Sequence, residues 1–208
     1  MDQFTRRIIG FGIHAGTVDG AGSFNGTTKY IDAGNASGIE ITGNITVELW
    51  ATTLDVPDCG NWRRTVNNYS SSGLGGYGMI LRCHNGDSYD GKLVFDLRYA
   101  GSDYQAWTNS ALTLGTVYHF AGTYDGSTVT IFQNGVAQTT TASLILGIGA
   151  STDDLVIGRD STIAGYFWNG IIDEVRVSNV VRSAAWFAHE YYQQQPTGPY
   201  YTVGSWTP

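Results

Sequence analysis

The chain has 208 residues, a formal net charge of −7 at pH 7, and only 14% charged residues. Its 11 basic residues are spread thinly, which excludes the concentrated positive field that nucleic-acid binding requires. No stretch approaches the ~20 consecutive apolar residues of a membrane helix, so we expect no membrane insertion.

The hydrophobic segments are short, alternate with a period of two and are separated by turn residues, which is the pattern of antiparallel strands. NITVELWAT, residues 44–52, places Glu48 and Trp50 on the face opposite its aliphatic residues. YGMILRCH (77–84) and KLVFDLRYA (92–100) alternate in the same way. Each of the three segments is therefore predicted to be a strand.

Two turn pairs organise the strongest local signal in the chain, TVYHFAGTYDGSTVTIFQNGVAQ (116–138). Asp125-Gly126 and Asn134-Gly135 are hairpin signals, and they join three strand-like runs into a meander. Strands at this spacing with no helices between them predict an all-β fold of antiparallel sheets, a sandwich or a barrel.

One segment near the end of the chain, RSAAWFAHEYYQQQ (182–195), has helical character. Ser183 can cap its first turn, and Pro196 follows its last residue. We therefore predict one short C-terminal helix at about residues 183–193.

The domain organisation is predicted to be simple, because the chain shows no internal repeat and no linker. We expect a single domain over residues 1–208, with a core at about 22–180 and a tail at 196–208, in a mature or excised form. Cys59 and Cys83 allow one disulfide bridge, and the sequence leaves open whether it forms.

Five segments occur in an order that resembles a known family. They are GSFNGTTKYIDAG, ITGNITVELW, GTVYHFAGTYDGSTVTIFQNGV, LVIGR and FWNGIIDEVRVSNVVRSAAW. Together they resemble the laminin G-like, concanavalin A-like jelly-roll family of bacterial and archaeal surface proteins, over about residues 22–186. The resemblance implies two curved antiparallel sheets packed face to face, a concave side that binds glycans or proteins, and an extracellular or cell-surface location.

The resemblance also implies a metal ion. Many relatives carry one structural calcium ion near the chain termini, and the matching positions here are Asp173 and Asn25. Asn25 stands where the family usually has an acid, and a side-chain carbonyl ligates calcium without adding charge. We therefore expect structural Ca2+ at this pair to be bound weakly or not at all.

Asp173 raises a question of its own within GIIDEVRVS (170–178). Strict alternation puts its carboxylate on the same face as Val175 and Val177. A charged group among aliphatic side chains needs partners, which leaves calcium or the backbone amides of the N-terminal FNGT segment. Catalysis is disfavoured because Glu174 points to the opposite face.

The sequence shows no residue pattern typical of a catalytic site. Concanavalin A-like glycosidases need two carboxylates across the scissile bond, but neither Glu48 nor Asp96 is followed by a second acid two residues later. The four histidines are scattered, and no Gly-x-Ser-x-Gly segment occurs. We therefore expect no enzymatic activity, and a glycosidase whose carboxylates come from different strands is the alternative.

Aromatic and charged side chains instead favour ligand binding. A tryptophan or tyrosine near a carboxylate and an arginine forms the kind of surface that stacks on a sugar ring. Two aromatic residues fall in AGSDYQAWTNS (100–110), predicted to be a polar loop, where exposed aromatics often mark recognition sites. The candidate ligand-binding residues are Glu48, Trp50, Asp96, Arg98, Tyr104 and Trp107.

These observations predict a non-catalytic recognition module that binds carbohydrate, or a surface protein, within a larger extracellular or cell-surface protein. A spacer or assembly module without a ligand is the second hypothesis, and it would be favoured if the protein bound no polysaccharide and Trp50 were buried. The sequence identifies neither the ligand nor the oligomeric state.

Overall fold

The computed structural model describes the backbone of residues 5–7, together with residues 21–58, 62–83, 86, 89–163 and 165–194. Within these ranges the chain forms thirteen strands and one helix. In chain order they are β1 (Thr5–Arg7), β2 (Gly22–Asn25), β3 (Ile31–Asp32), β4 (Ile45–Thr53), β5 (Arg63–Tyr69), β6 (Gly75–Leu81), β7 (Leu93–Tyr99), β8 (Ser102–Trp107), β9 (Tyr118–Tyr124), β10 (Thr128–Gln133), β11 (Val136–Ser143), β12 (Val156–Ile157), β13 (Asn169–Ser178) and α1 (Ala184–Gln194).

The strands form two antiparallel sheets that pack face to face. The first sheet has the strand order β1-β13-β4-β9-β10-β11, and β2 also pairs with β13. The second sheet has the order β3-β12-β5-β6-β7-β8. The predicted all-β, antiparallel two-sheet jelly-roll sandwich with one short C-terminal helix is therefore confirmed.

The core lies between the inner faces of the two sheets. Alternate residues of β4, among them Val47 and Leu49, point into it, and β7 contributes Phe95 and Leu97 from the other sheet. The sheets approach closely at Gly122 of β9, where a Cβ atom would lie 2.3 Å from the Phe95 ring. Because burial of apolar surface stabilises the fold by roughly 25 cal/mol per Å2, it determines which face of each strand points inward.

A β-bulge interrupts the alternation of β13. Asp173 lies opposite Trp50 and Arg176 lies opposite Glu48, so two residues of β13 face a single residue of β4. Glu174, one of the two, has a φ of 51°, in the left-handed region that non-glycine residues rarely adopt. Residues after the bulge therefore point to the face opposite to the one that strict alternation predicts.

The predicted burial of Asp173 among aliphatic side chains is wrong because of this bulge. Ile172, Val175 and Val177 point into the core, whereas Asp173 is half-buried on the outer face of the first sheet. Its Oδ1 atom accepts a 2.8 Å hydrogen bond from the backbone N–H of Glu174. A backbone amide therefore does bind this carboxylate, but it belongs to the bulge and not to the FNGT segment.

Side chains join the edge strands β8 and β11 of the two sheets. The backbone N–H of Trp107 donates a 2.8 Å hydrogen bond to the hydroxyl of Thr140, which in turn donates to the Trp107 carbonyl. Asn109 adds two 2.9 Å bonds, because its N–H donates to Gln138 Oε1 and its Oδ1 accepts from the N–H of Thr139. These bonds satisfy edge groups that would otherwise be open to pairing with another chain.

Helix α1 packs on the outer face of the first sheet. The buried ring of Phe187 lies 4.6 Å from the ring of Phe132, measured between centroids. Ser183 caps the first turn, because its Oγ accepts a 3.2 Å bond from the N–H of Trp186, as predicted from the sequence. In the described part of the chain, no helix is long and apolar enough to cross a membrane.

Cys83 is buried and makes no disulfide with any described residue. Cys59 lies outside the described residues, so the pairing of the two cysteines stays an open question.

Candidate functional site

An open depression of about 370 Å3 lies at the end of the sandwich where β2 and β4 end and β5 and β13 begin. Three loops form its walls, and the first residue of β5 lies between them. Its lining residues are Gly26, Thr27, Pro57, Asp58, Arg63, Gly165, Tyr166 and Phe167.

Asn25 builds the first wall, which is the turn after β2. Its Oδ1 atom accepts hydrogen bonds of 2.9–3.2 Å from the backbone N–H groups of Thr27, Thr28 and Lys29. Gly26 has a φ of 74° and lies against β13. The side-chain carbonyl of Asn25, which the family resemblance places at a calcium site, therefore accepts hydrogen bonds from three amides of its own turn.

Arg63 connects the walls. Its guanidinium makes a bidentate ion pair with Asp55, through Nη2 to Oδ2 at 2.7 Å and Nε to Oδ1 at 3.2 Å. Its Nη1 donates to the carbonyls of Phe167 at 2.9 Å and of Gly26 at 3.3 Å. Asn169 Nδ2 binds the same Asp55 carboxylate at 3.0 Å. One guanidinium thus links the loops after β2, after β4 and before β13.

Tyr166 lies on the third wall in a strained backbone conformation. Its φ is 55°, a left-handed value that costs a side-chain-bearing residue roughly 1–2 kcal/mol. Its carbonyl accepts a 3.1 Å bond from the N–H of Arg64, and its ring stacks on Trp62 at a centroid distance of 6.0 Å and an angle of 24°. Strain of this kind concentrates at ligand-binding positions.

Further aromatic rings lie beside the depression. The ring of Tyr30 lies 6.4 Å from that of Phe167, and the guanidinium of Arg159 lies 3.9 Å from the centre of the Tyr30 ring. On the other side, Arg82 lies 4.5 Å from the centre of the Trp62 ring. Tyr30 and Trp62 therefore flank the depression through their contacts with two residues of its lining, Phe167 and Tyr166.

Asp96 and Arg98, two of the predicted ligand-binding residues, lie on the outer face of the second sheet. Asp96 is fully buried, and its Oδ2 accepts a 2.8 Å bond from the Tyr69 hydroxyl. Burial, reinforced by the charge of Asp103, raises the pKa of Asp96 to about 7, against the opposing effects of the Tyr69 hydrogen bond and of Arg98. Arg98 pairs with Asp103 at 2.8 Å. Both predicted residues thus have partners within the protein.

Glu48 and Trp50 lie beneath helix α1. Glu48 is 4% exposed, and its Oε1 lies 2.9 Å from His119 Nε2 and 3.5 Å from Arg176 Nη1. The Trp50 ring stacks on Tyr191 of the helix at 5.8 Å. The stacking on Tyr191 and the 2.6 Å ion pair between Arg176 and Glu190 attach α1 to the first sheet.

The remaining candidates, Tyr104 and Trp107, lie on strand β8, so the predicted polar loop at residues 100–110 is wrong over most of its length. Tyr104 packs against the core, and Trp107 contacts the ring of Tyr89 at 4.6 Å. The six predicted residues therefore fall on different faces of two sheets and do not form one site.

Asn25 and Asp173 do not fit a shared calcium site. Asn25 pairs with Asn169, and Asp173 follows four residues later on β13, which separates the two by roughly 13 Å along the strand. Among the described residues, no three His, Cys, Asp or Glu side chains gather into a set that could hold a metal ion. Calcium binding by this chain stays a prediction without a donor set.

No pattern in the sequence predicted a role for Asp55, Arg63 or Tyr166. Arg63 was visible only as part of the Arg63-Arg64 pair, and nothing in the sequence links it to the segment at 165–167. No periodic pattern could have identified these residues, because they lie at strand ends and in loops.

Comparisons with solved structures agree with the fold. Domain 4 of AbnA, an extracellular GH43 arabinanase from Geobacillus stearothermophilus in complex with arabinotriose, superposes with a TM-score of 0.64 at 16% identity, covering 84% of this chain and 77% of that domain. A putative carbohydrate-binding protein from Bacteroides ovatus gives 0.62 at 19% identity, covering 81% and 45%. Mouse laminin α1 domains LG4-5 give 0.58 at 14% identity, covering 76% and 40%.

At these identities the likeness establishes the fold alone, and this chain spans less than half of the last two structures. The sequence has no significant match among curated proteins. The profile of the laminin G 3 family, described as the concanavalin A-like lectin/glucanases superfamily, matches residues 25–188. Together with the two-sheet sandwich, this match shows that the chain belongs to the laminin G-like family of the concanavalin A-like lectin/glucanase superfamily.

Proposed function

We propose that this protein is a carbohydrate-recognition module of an extracellular or cell-surface protein, and that its ligand binds in the depression between the loops after β2, after β4 and before β13. The observation that carries the proposal is Tyr166, an aromatic residue held at a φ of 55° in the lining of an open depression of about 370 Å3. The depression is of the size that small-ligand sites commonly have.

The chemistry of the lining suits a sugar. A sugar ring has a face of C–H groups and a rim of hydroxyls, so its site needs an apolar, flat surface next to donors and acceptors. Tyr166 and Phe167 are the aromatic residues of the lining, and Thr27, Asp58 and Arg63 are residues of the lining with polar side chains. The carbohydrates and carbohydrate-binding roles named for two structurally similar domains support this ligand class.

We propose a binding role and not a hydrolytic one. A glycosidase needs one carboxylic acid that is protonated and a second carboxylate across the scissile bond. Asp55 is held in a bidentate ion pair with Arg63 that occupies both of its carboxylate oxygens. Calcium is no part of the proposal, because Asn25 and Asp173 lie apart on the first sheet.

A glycan array followed by isothermal titration calorimetry on the best ligand tests the proposal. We expect binding by the wild-type protein and loss of binding in Tyr166→Ala, because the aromatic surface of the depression is removed. Trp50→Ala is the matched control, since it removes an aromatic residue that lies under helix α1, and it should bind as the wild type does. Absence of binding to any glycan would instead support a spacer or assembly module.

A further inference from the structure

We infer that the depression selects uncharged oligosaccharides and rejects acidic ones, because Asp55 neutralises the arginine that lines it. This inference rests on the proposed function and adds the chemical class of the ligand. Sites that recognise carboxylates or sulfates present an arginine whose fork of N–H donors is open to the anion. In this protein the fork is occupied.

Arg63 has little hydrogen-bonding capacity left. A guanidinium has five N–H donors, and four bonds are made within the protein: two to Asp55, one to the Phe167 carbonyl and one to the Gly26 carbonyl. Its side chain is 16% exposed. An approaching carboxylate could therefore form at most one bond to Arg63, and it would do so beside the carboxylate of Asp55.

The other charges at the site add to the rejection of anions. Asp58 lines the depression and is exposed, so Asp55, Arg63 and Asp58 together carry one net negative charge. Lys29 and Arg159 lie in neighbouring segments, but neither is among the lining residues. The whole chain has a formal charge of −7, which repels an anionic polymer before contact.

An uncharged sugar is not repelled by the negative charge of the site and does not need a free arginine fork. Its hydroxyl groups both donate and accept, so one hydroxyl can donate to Asp58 while another accepts the remaining N–H of Arg63. Thr27, which also lines the depression, adds a hydroxyl that can donate and accept a hydrogen bond. The ligand class that fits is a neutral, polyhydroxylated oligosaccharide.

The test compares affinities for neutral oligosaccharides (arabino-, xylo- and gluco-) with those for oligogalacturonate and a sulfated oligosaccharide, at low and high salt. We expect the wild type to bind at least one neutral ligand about tenfold more tightly than either acidic one. Asp55→Asn frees the fork of Arg63 and should strengthen acidic binding about tenfold, in a salt-dependent manner. Arg63→Gln added to Asp55→Asn should abolish that gain.

Asp55 also binds Asn169, so Asp55→Asn must first show a melting temperature near that of the wild type. If it does not fold, Asp58→Lys replaces it, because this exposed substitution adds a positive charge to the rim and should also strengthen acidic binding. Equal binding of neutral and acidic ligands by the wild type, or no gain in the folded variant, would overturn the inference and leave the proposed function standing. No binding to any glycan would overturn both.

Discussion

The hydroxyl of Tyr69 donates a 2.8 Å hydrogen bond to the Oδ2 atom of Asp96 across the outer face of the second sheet. Burial raises the pKa of Tyr69, so its hydroxyl stays protonated and able to donate. Asp96 has no access to solvent, and its Oδ1 atom has no hydrogen-bond partner among the residues that the structure describes. A carboxylate in such surroundings is more stable when protonated, and its pKa rises to about 7.

The first prediction concerns pH. The unfolded chain releases this proton near pH 3.9, whereas the folded protein keeps it until about pH 7. Between these values the native state binds more protons, so the contribution of Asp96 to stability is complete below pH 4 and is lost as pH rises, by at most about 1.4 kcal/mol per pH unit. Urea unfolding at pH 5 and pH 8 should show the loss in the wild type.

Asp96→Asn should remove most of this difference between pH 5 and pH 8. Asp154→Asn is the control, because Asp154 is exposed and is not among the groups that shift the pKa of Asp96, so it should leave the pH dependence in place. Identical pH profiles for the wild type and Asp96→Asn would refute the buried, protonated state of Asp96.

The second prediction distinguishes the backbone strain at Tyr166 from the role of its ring in ligand binding. Tyr166→Gly relieves roughly 1–2 kcal/mol of left-handed strain but loses the stacking on Trp62, worth about 0.5–1.5 kcal/mol. We therefore expect little change in stability and complete loss of glycan binding. Ala100→Gly, at another residue with positive φ, should leave binding unchanged. If Tyr166→Gly still binds the glycan, the ring of Tyr166 does not contribute to the binding site.

The third prediction concerns the cluster under helix α1. Glu48→Ala leaves the buried His119 ring without its Glu48 partner, while Arg176 keeps its ion pairs with two other carboxylates. A buried polar group left unsatisfied costs about 1–3 kcal/mol. Denaturation should show this loss, while the affinity for glycan at the depression stays the same. Glu40→Ala, at an exposed position, should change stability by less than about 0.5 kcal/mol. A loss of glycan affinity without a loss of stability would restore Glu48 as a ligand-binding residue.

The fourth prediction concerns the bulge in β13. Deletion of Glu174 removes the extra residue and restores strict alternation with Val175 and Val177 still facing the core, so cooperative unfolding should be retained. Glu174→Gly keeps the bulge and suits its positive φ, so it should retain the near-UV circular dichroism of the wild type. A deletion variant that loses cooperative unfolding would show that β13 needs the bulge itself to hold its register against β4.

Much of the fold could be predicted because its signals are local. The alternation around Leu49 and the Asp125-Gly126 and Asn134-Gly135 pairs each involve residues close in the chain, and the strands and hairpins lie where they predict. The Ser183 cap is equally local. Short-range periodicity and turn chemistry thus determined the strands, the helix and the class of fold.

The tertiary structure decided which faces are covered and where a ligand can enter. Trp50 was predicted to bind a ligand, but its ring stacks on Tyr191 of helix α1. Asp173 lies on the outer face because β13 contains one extra residue at the bulge. The depression depends on Arg63 reaching carbonyls at 26 and 167. Such contacts join loops that are far apart in sequence, so no local pattern records them, and only the packing of the two sheets brings them together.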